Sequence, residues 1–301
     1  MLDIISVGPG EAVLLTDDAK QAIDRADAVW CAARHAVLVP PEKARPLSPL
    51  EGAIEQMRLS SDAGQSAAVL VSGDAGLYSL LEMLKRKIGG EYLRVHPGVS
   101  ALQLFAARLG VSWQDAKILS AHGRALSESA LCHAVRTHRQ TFCFLDAAHN
   151  PAWVRESLNL GGLENVRLFV GERLSYPDER TEAYDPDAAY DPLCMAYIEN
   201  DAPESGLPPV GLSDEAFIRG KTPMTKRDVR ALVVSALHLK PNGVVWDIGA
   251  GTGSVSVECA RQCPLGEVYA VEMKDEALDL IRRNAERFHA LNLRVVPGRA
   301  L

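Results

Sequence analysis

Short aliphatic runs alternate along this chain with stretches whose apolar residues recur every three or four positions. Residues 2–7, 28–31, 67–71, 92–95, 117–119, 141–145 and 166–170 are runs of the first kind and predict strands. Residues 16–26 are of the second kind. Ala19, Ala22, Ile23 and Ala26 share one face there, and Thr16 is placed to cap the helix. Further helices are predicted from Gly76 to about Ile88 and over 99–109. Strands separated by helices imply βαβ units and a largely parallel sheet.

Residues 201–212 (DAPESGLPPVGL) break this rhythm with Pro and Gly, and place a linker at 204–212 between domains 1–203 and 213–301. The alternation then restarts. Helices are expected over 225–239, 254–263 and 274–289, and strands over 244–248, 268–272 and 293–296. Three strands are few for a doubly wound sheet, which needs both faces covered, so this domain is expected to be incomplete.

Composition adds bounds. A chain of 301 residues that is 47% hydrophobic and 24% charged is ordinary for one or two globular domains. A net charge of −7 argues against broad nucleic-acid binding, which needs a basic footprint. No apolar run is long enough to span a membrane, and the N-terminus lacks a basic signal-peptide region. The six cysteines form no CxxC pair. They read as buried, reduced thiols of a cytoplasmic protein, and no metal site is expected.

The chemistry is carried by loops. Asp247-Ile248-Gly249-Ala250-Gly251-Thr252-Gly253 follows a strand and opens a helix. Glycine allows a sharp turn and close backbone approach, and the helix start offers unpaired N–H groups. Glu272 ends the next strand, where a carboxylate can take ribose hydroxyls. Asp247 is placed to hold an ammonium, directly or through water. The spacing differs from the G-x-G-x-x-G of a dinucleotide site. Nicotinamide binding and a purely structural turn stay open as alternatives. The set resembles the class I methyltransferase signature.

Three more loops close N-terminal strands: Gly8-Pro9-Gly10, Gly73-Asp74-Ala75-Gly76-Leu77-Tyr78 and Pro97-Gly98-Val99-Ser100-Ala101. Each alone reads as turn punctuation. Together, in this order, they resemble the tetrapyrrole methylase family, the class III methyltransferases. Ala75 departs from it, since the family often has Pro there. Ser120-Ala121-His122-Gly123-Arg124, residues 146–151, residues 171–174 and, past the linker, 211–217 and 224–230 extend the resemblance over almost the whole chain. They narrow it to the fused cobalamin-pathway methylases that act at C5 and C15 of a precorrin.

That resemblance implies an α/β fold: a two-lobed tetrapyrrole methylase domain, with its donor loops between the lobes, followed by a partial Rossmann-like class I methyltransferase domain. It implies a S-adenosyl-L-methionine-dependent C-methyltransferase with one donor per domain, held in the second by Thr225, the loop 249–253, Glu272 and Ala300. Arg299 stands where the family has an acidic residue. An anionic tetrapyrrole is the implied partner, with no nucleic acid or membrane, and the family tends to form homo-oligomers. Methylation at another ring position, or a C-terminal domain that binds the donor without catalysis, are the alternatives.

Among other side chains, His122 and Arg124 are candidates for substrate contact, Arg124 because guanidinium binds carboxylate bidentately. A structural His122 and a solvated Arg124 are the bland readings. Tyr78 either stacks near the donor or packs in the core. His149 suits a turn before Asn150. His35, His96, His238 and His289 read as structural or surface residues. Trp30, Trp113, Trp153 and Trp246 read as core.

Overall fold

The computed structural model describes residues 1–299. The chain folds as two compact units, the first made of Met1–Gln114 with Val170–Glu182 and Leu193–Met195, the second of Asp115–Phe169, Ala183–Pro192 and the chain from Ala196 onward.

The first unit runs β1 (Leu2–Ser6), α1 (Asp17–Arg25), β2 (Ala28–Cys31), β3 (Ala44–Pro46), α2 (Leu50–Asp62), β4 (Ala67–Val71), α3 (Leu81–Ile88), β5 (Leu93–His96) and α4 (Ala101–Leu109). Its sheet has the order β3-β2-β4-β1-β5, with every characterised pair parallel. Strands β1 and β4 are buried at every position, as central parallel strands must be. The two-residue period then sorts their side chains. Leu2, Ile4, Ala67, Val69 and Val71 join one core with Trp30, Met57 and Leu84. Ile5, Val7, Ala68 and Leu70 join the other with Ala19, Ala22 and Ile23 of α1. The Thr16 side chain accepts from Ala19 N at 3.2 Å, so it caps α1 as expected.

Helix α3 starts at Leu81, later than its periodicity suggests. Asp74 turns the preceding loop by accepting from Gly76 N at 2.8 Å, and Tyr78 has φ 51°, outside helical space.

The middle of the chain supplies β6 (Lys117–Ser120), α5 (Glu128–Thr137), β7 (Gln140–Phe144), α6 (Pro151–Leu160), β8 (Arg167–Glu172), β9 (Arg180–Ala183) and β10 (Cys194–Glu199). Its strands follow the order β6-β7-β10-β8-β9. Asn150, with Pro151 behind it, caps α6 at 2.9 Å from Trp153 N, while His149 sits in a turn on Asp146.

The C-terminal part runs α7 (Arg227–Ala236), β11 (Val244–Ile248), α8 (Ser254–Gln262), β12 (Glu267–Glu272), α9 (Asp275–Arg287) and β13 (Leu293–Pro297). Its parallel sheet has the order β11-β12-β13, packed on a core of Val257, Cys259, Val268, Ala270, Ile281 and Leu293. Trp246 is not core. It is 60% exposed and stacks on Tyr269 at 4.5 Å, because it shares with Val244 and Ile248 the face of β11 that points away from that core. Trp113 is also exposed, whereas Trp30 is buried.

All six cysteines are buried and free, and burial pushes the Cys132 and Cys259 thiols up to about 12, which keeps them protonated and inert. Among the described residues no helix is long and apolar enough to cross a membrane.

Candidate functional site

Strands β4, β1 and β5 are adjacent, so the three N-terminal loops emerge side by side at their carboxyl ends, where open α/β sheets bind ligands. Gly8 and Gly73 bond reciprocally, Gly8 N to Gly73 O at 3.2 Å and Gly73 N to Gly8 O at 2.7 Å. Asp74 ties the second loop to the third, its Oδ2 accepting from Gly98 N at 3.3 Å. Ala75 N donates to the buried Ser6 Oγ at 2.9 Å. A proline at position 75 has no N–H and would forfeit that bond, a local reason for alanine here. Ser100 caps α4 in a capping box with Gln103. Asp74, Ala75 and Ser100 therefore hold the loops in shape, and the surfaces left to a ligand are largely backbone. Tyr78 is exposed, which removes it from the core.

Just behind this cluster His96 is 2% exposed between two carboxylates, with Nε2 at 2.8 Å from Asp3 Oδ1 and Nδ1 at 2.5 Å from Asp18 Oδ2. Arg94 lies 3.9 Å from Asp3. Burial alone would lower the His96 pKa, but the bonds to Asp3 and Asp18 outweigh it and raise it. The same bond to His96 lowers the Asp18 carboxyl. An imidazolium that joins β1, β5 and α1 adds stability below the ordinary histidine pKa, and that stability is lost as pH rises through the raised value. The Asp18 share is present above the ordinary aspartate range and is lost as pH falls through its lowered value. The denaturation midpoint is thus expected to decline on the alkaline side of about 6.5. His96→Gln should flatten that decline, and identical pH profiles for variant and wild type would remove His96 as its cause.

The second cluster lies at the ends of β11 and β12. The turn after β11 is pinned by Gly249 N and Ala250 N, which donate to Val271 O at 2.9 and 3.1 Å. Gly253 has φ 75°, and a Cβ there would lie 3.1 Å from Ile281, so glycine suits the close entry into α8. Glu272 is 9% exposed. Its Oε2 accepts from Gly251 N at 3.0 Å, and its Oε1 from Met273 N at 2.8 Å and Lys274 N at 3.1 Å. Burial pushes this carboxyl up, but the three backbone donors outweigh burial and hold it below the usual range. An ionised carboxylate offers about four acceptor positions, so about one is left for a ligand hydroxyl. The donor set therefore fits a ribose through one hydroxyl more readily than through two. Asp247 accepts from Ser256 Oγ at 2.5 Å.

Arg230 and Glu258, which the sequence does not single out, organise the surroundings of this cluster. Arg230 is fully buried, and its Nε donates to Glu258 Oε1 at 2.6 Å. Its Nη1 donates to Thr225 O at 2.6 Å, its Nη2 to Leu212 O at 2.5 Å, and its guanidinium stacks on Phe217. Glu258 also accepts from Gly211 N and Leu212 N. Thr225 is exposed and is fixed through its carbonyl. Asn284 closes the far side, donating to Thr252 O at 2.9 Å. The one clue in the sequence is a glutamate flanked from Ser254 to Ala260 only by apolar and small residues.

His122 and Arg124 are exposed on the turn after β6. Ala300 lies outside the described residues.

Residues 1–185 match the family described as tetrapyrrole (corrin/porphyrin) methylases, and residues 215–301 match the precorrin methyltransferase domain. A precorrin-6Y C(5,15)-methyltransferase (decarboxylating) from Sinorhizobium sp is 32% identical over 313 residues, covering 99% of this chain and 74% of that relative. A cobalt-precorrin-6B C(15)-methyltransferase (decarboxylating) from Salmonella typhimurium is 47% identical over 90 residues, 30% of this chain, and the match spans about half (47%) of that relative. The crystal structure of a cobalamin-biosynthesis precorrin-6Y methylase from Archaeoglobus fulgidus superposes with a TM-score of 0.51 at 21% identity, over 67% of this chain and 98% of that one, and so shares the fold.

Proposed function

The chain belongs to the tetrapyrrole (corrin/porphyrin) methylase family, and on that premise we propose that it methylates C5 and C15 of a precorrin and decarboxylates the ring-C acetate. The observation that carries this reading is the presence in one chain of two separate loop clusters, each at the carboxyl ends of neighbouring parallel strands. Residues 1–203 take the C5 reaction and residues 213–301 the C15 reaction and decarboxylation, with 204–212 as linker. Each domain holds its own S-adenosylmethionine, in the cytoplasm.

Bound donor supplies a methyl group on an already activated sulfonium. What remains to the protein is positioning. The loops after β1, β4 and β5 hold one donor by backbone. In the second domain Glu272 takes a ribose hydroxyl, Asp247 the ammonium, and the helix start at α8 adds its unpaired N–H groups.

The test is mass spectrometry of precorrin-6B (precorrin-6Y) after incubation with the full chain and donor. Two methyl additions and loss of carbon dioxide are expected, and an unchanged mass would reject the reading. Calorimetry with S-adenosylhomocysteine is expected to give two sites per chain. Asp247→Ala should weaken the second about tenfold while C5 methylation continues, since one charge-assisted hydrogen bond is removed. Unchanged stoichiometry and affinity would mean that the loop is not a donor site.

A further inference from the structure

Beside the first donor cluster stands an arginine with unusual supports. Arg34, exposed, lies on the turn after β2, next to β4 in the sheet. Its Nη2 donates to Ser72 Oγ at 2.6 Å, and its Nε donates to His35 Nε2 at 3.2 Å. Ser72 Oγ is itself 2.9 Å from that His35 nitrogen. Ser72 directly precedes Gly73 and so belongs to the same turn as the donor loop.

The protonation of this cluster follows from its donors. A guanidinium only donates, so His35 Nε2 must accept and the ring proton must sit on Nδ1. His35 is fully buried, and its Nδ1 has no hydrogen-bond partner. Burial, and then the charge of Arg34, hold the imidazole down to about 4, so it is neutral at physiological pH. Both supports are therefore uncharged. Among the described residues Arg34 makes no ion pair, and its positive charge is left uncompensated.

The same turn forms a wall of a cavity of about 580 Å³, bounded by Ala33, Ala36, Pro46, Leu47, Leu50 and Leu80. Leu80 closes the donor loop's own segment. Arg45 also lines this cavity, and its Nη1 donates only to the backbone carbonyls of Glu42 and Ala44, each at 2.9 Å. Apolar walls with the Arg45 guanidinium on the lining and Arg34 on the adjoining turn, both free of carboxylate partners, suit a flat apolar ligand fringed with carboxylates.

We propose that Arg34, on the turn whose Ala33 and Ala36 wall the cavity that Arg45 lines, anchors substrate carboxylates at the first donor cluster together with Arg45, and that His35 and Ser72 are positioning residues for the Arg34 guanidinium. This rests on the C5-methylation reading. The neutral supports matter because a carboxylate in their place would consume the charge that the substrate needs.

The test is C5 methylation of precorrin-6B by the full chain, with S-adenosylhomocysteine affinity measured alongside. Arg34→Gln is expected to raise the tetrapyrrole KM about tenfold, with kcat and donor affinity changed less than about twofold. His35→Phe should raise KM as well, but add little in the Arg34→Gln background, because it acts through Arg34. A wild-type chain that methylates while Arg34→Gln keeps its KM overturns the anchor alone. Equal, additive effects of His35→Phe in both backgrounds overturn the positioning role. A wild-type chain that transfers no methyl group overturns this inference together with the function on which it rests.

Discussion

Replacing Arg230 with leucine is expected to destabilise the C-terminal part by about 3–5 kcal/mol, because it leaves Glu258 charged, buried and without its cation. Glu258 is 1% exposed and loses a bond of 2.6 Å. The carbonyls of Leu212 and Thr225 lose their donors at the same time. The effect should reach the second loop cluster, proposed above as a donor site, since Pro223 O lies 3.3 Å from where a Cβ on Gly251 would be, so the segment before α7 packs against the glycine loop. Urea denaturation followed by circular dichroism gives the stability, and calorimetry with S-adenosylhomocysteine gives the second-site affinity. Replacing both partners by leucine should recover only part of the loss, because Gly211 N and Leu212 N would still lack the Glu258 oxygens. A loss below about 1 kcal/mol in Arg230→Leu would show that the pair is not a structural hub.

The second large effect is expected at Gly98. A Cβ there would lie 2.7 Å from Ser6 O and 2.8 Å from Ser6 Cβ. Ser6 ends β1, a buried central strand, so neither atom can swing aside. Gly98→Ala must move the third loop outward, at a cost of about 1–3 kcal/mol for overpacking. It also strains the bond from Gly98 N to Asp74, which ties the loops of β4 and β5 together. Donor stoichiometry should fall from two to one, with C5 methylation lost and binding at the second cluster retained. Gly52→Ala is the control: its Cβ would meet Pro49 at an ordinary 3.9 Å in α2, where alanine favours the helix. A Gly98→Ala chain with both donor sites intact would show that the loop tolerates the shift.

Much of the scaffold was legible locally. Ala28–Cys31, Ala67–Val71 and Val244–Ile248 are strands with the boundaries that their aliphatic runs predict. The glycine loops stand at strand ends, as their punctuation implies. Strand β10 is masked in the local pattern, although its run CMAYIE is buried for five of six residues, because acidic and proline residues crowd around it. Trp246 lies outside the core that its aliphatic neighbours imply for a different reason. An aromatic residue in an aliphatic strand says that one face is buried, but not which one.

The sequence alone determined where the chain turns, where most of the strands run, and that glycine-rich loops follow them, with Glu272 as acidic partner of the second cluster. These features depend on neighbours a few residues apart, so local pattern suffices. Only the tertiary structure decided which charges meet. His96 and Asp3 are 93 residues apart, Arg34 and Ser72 are 38 apart, and Arg230 and Glu258 are 28 apart. The first two pairs exist because the sheet is ordered β3-β2-β4-β1-β5, which no local periodicity encodes. The third exists because α7 packs on α8, where burial makes an ion pair obligatory once either charge is inside. The loops at the strand ends could thus be read from their glycines, while the groups that hold and charge their surroundings emerged only from the packing of distant segments.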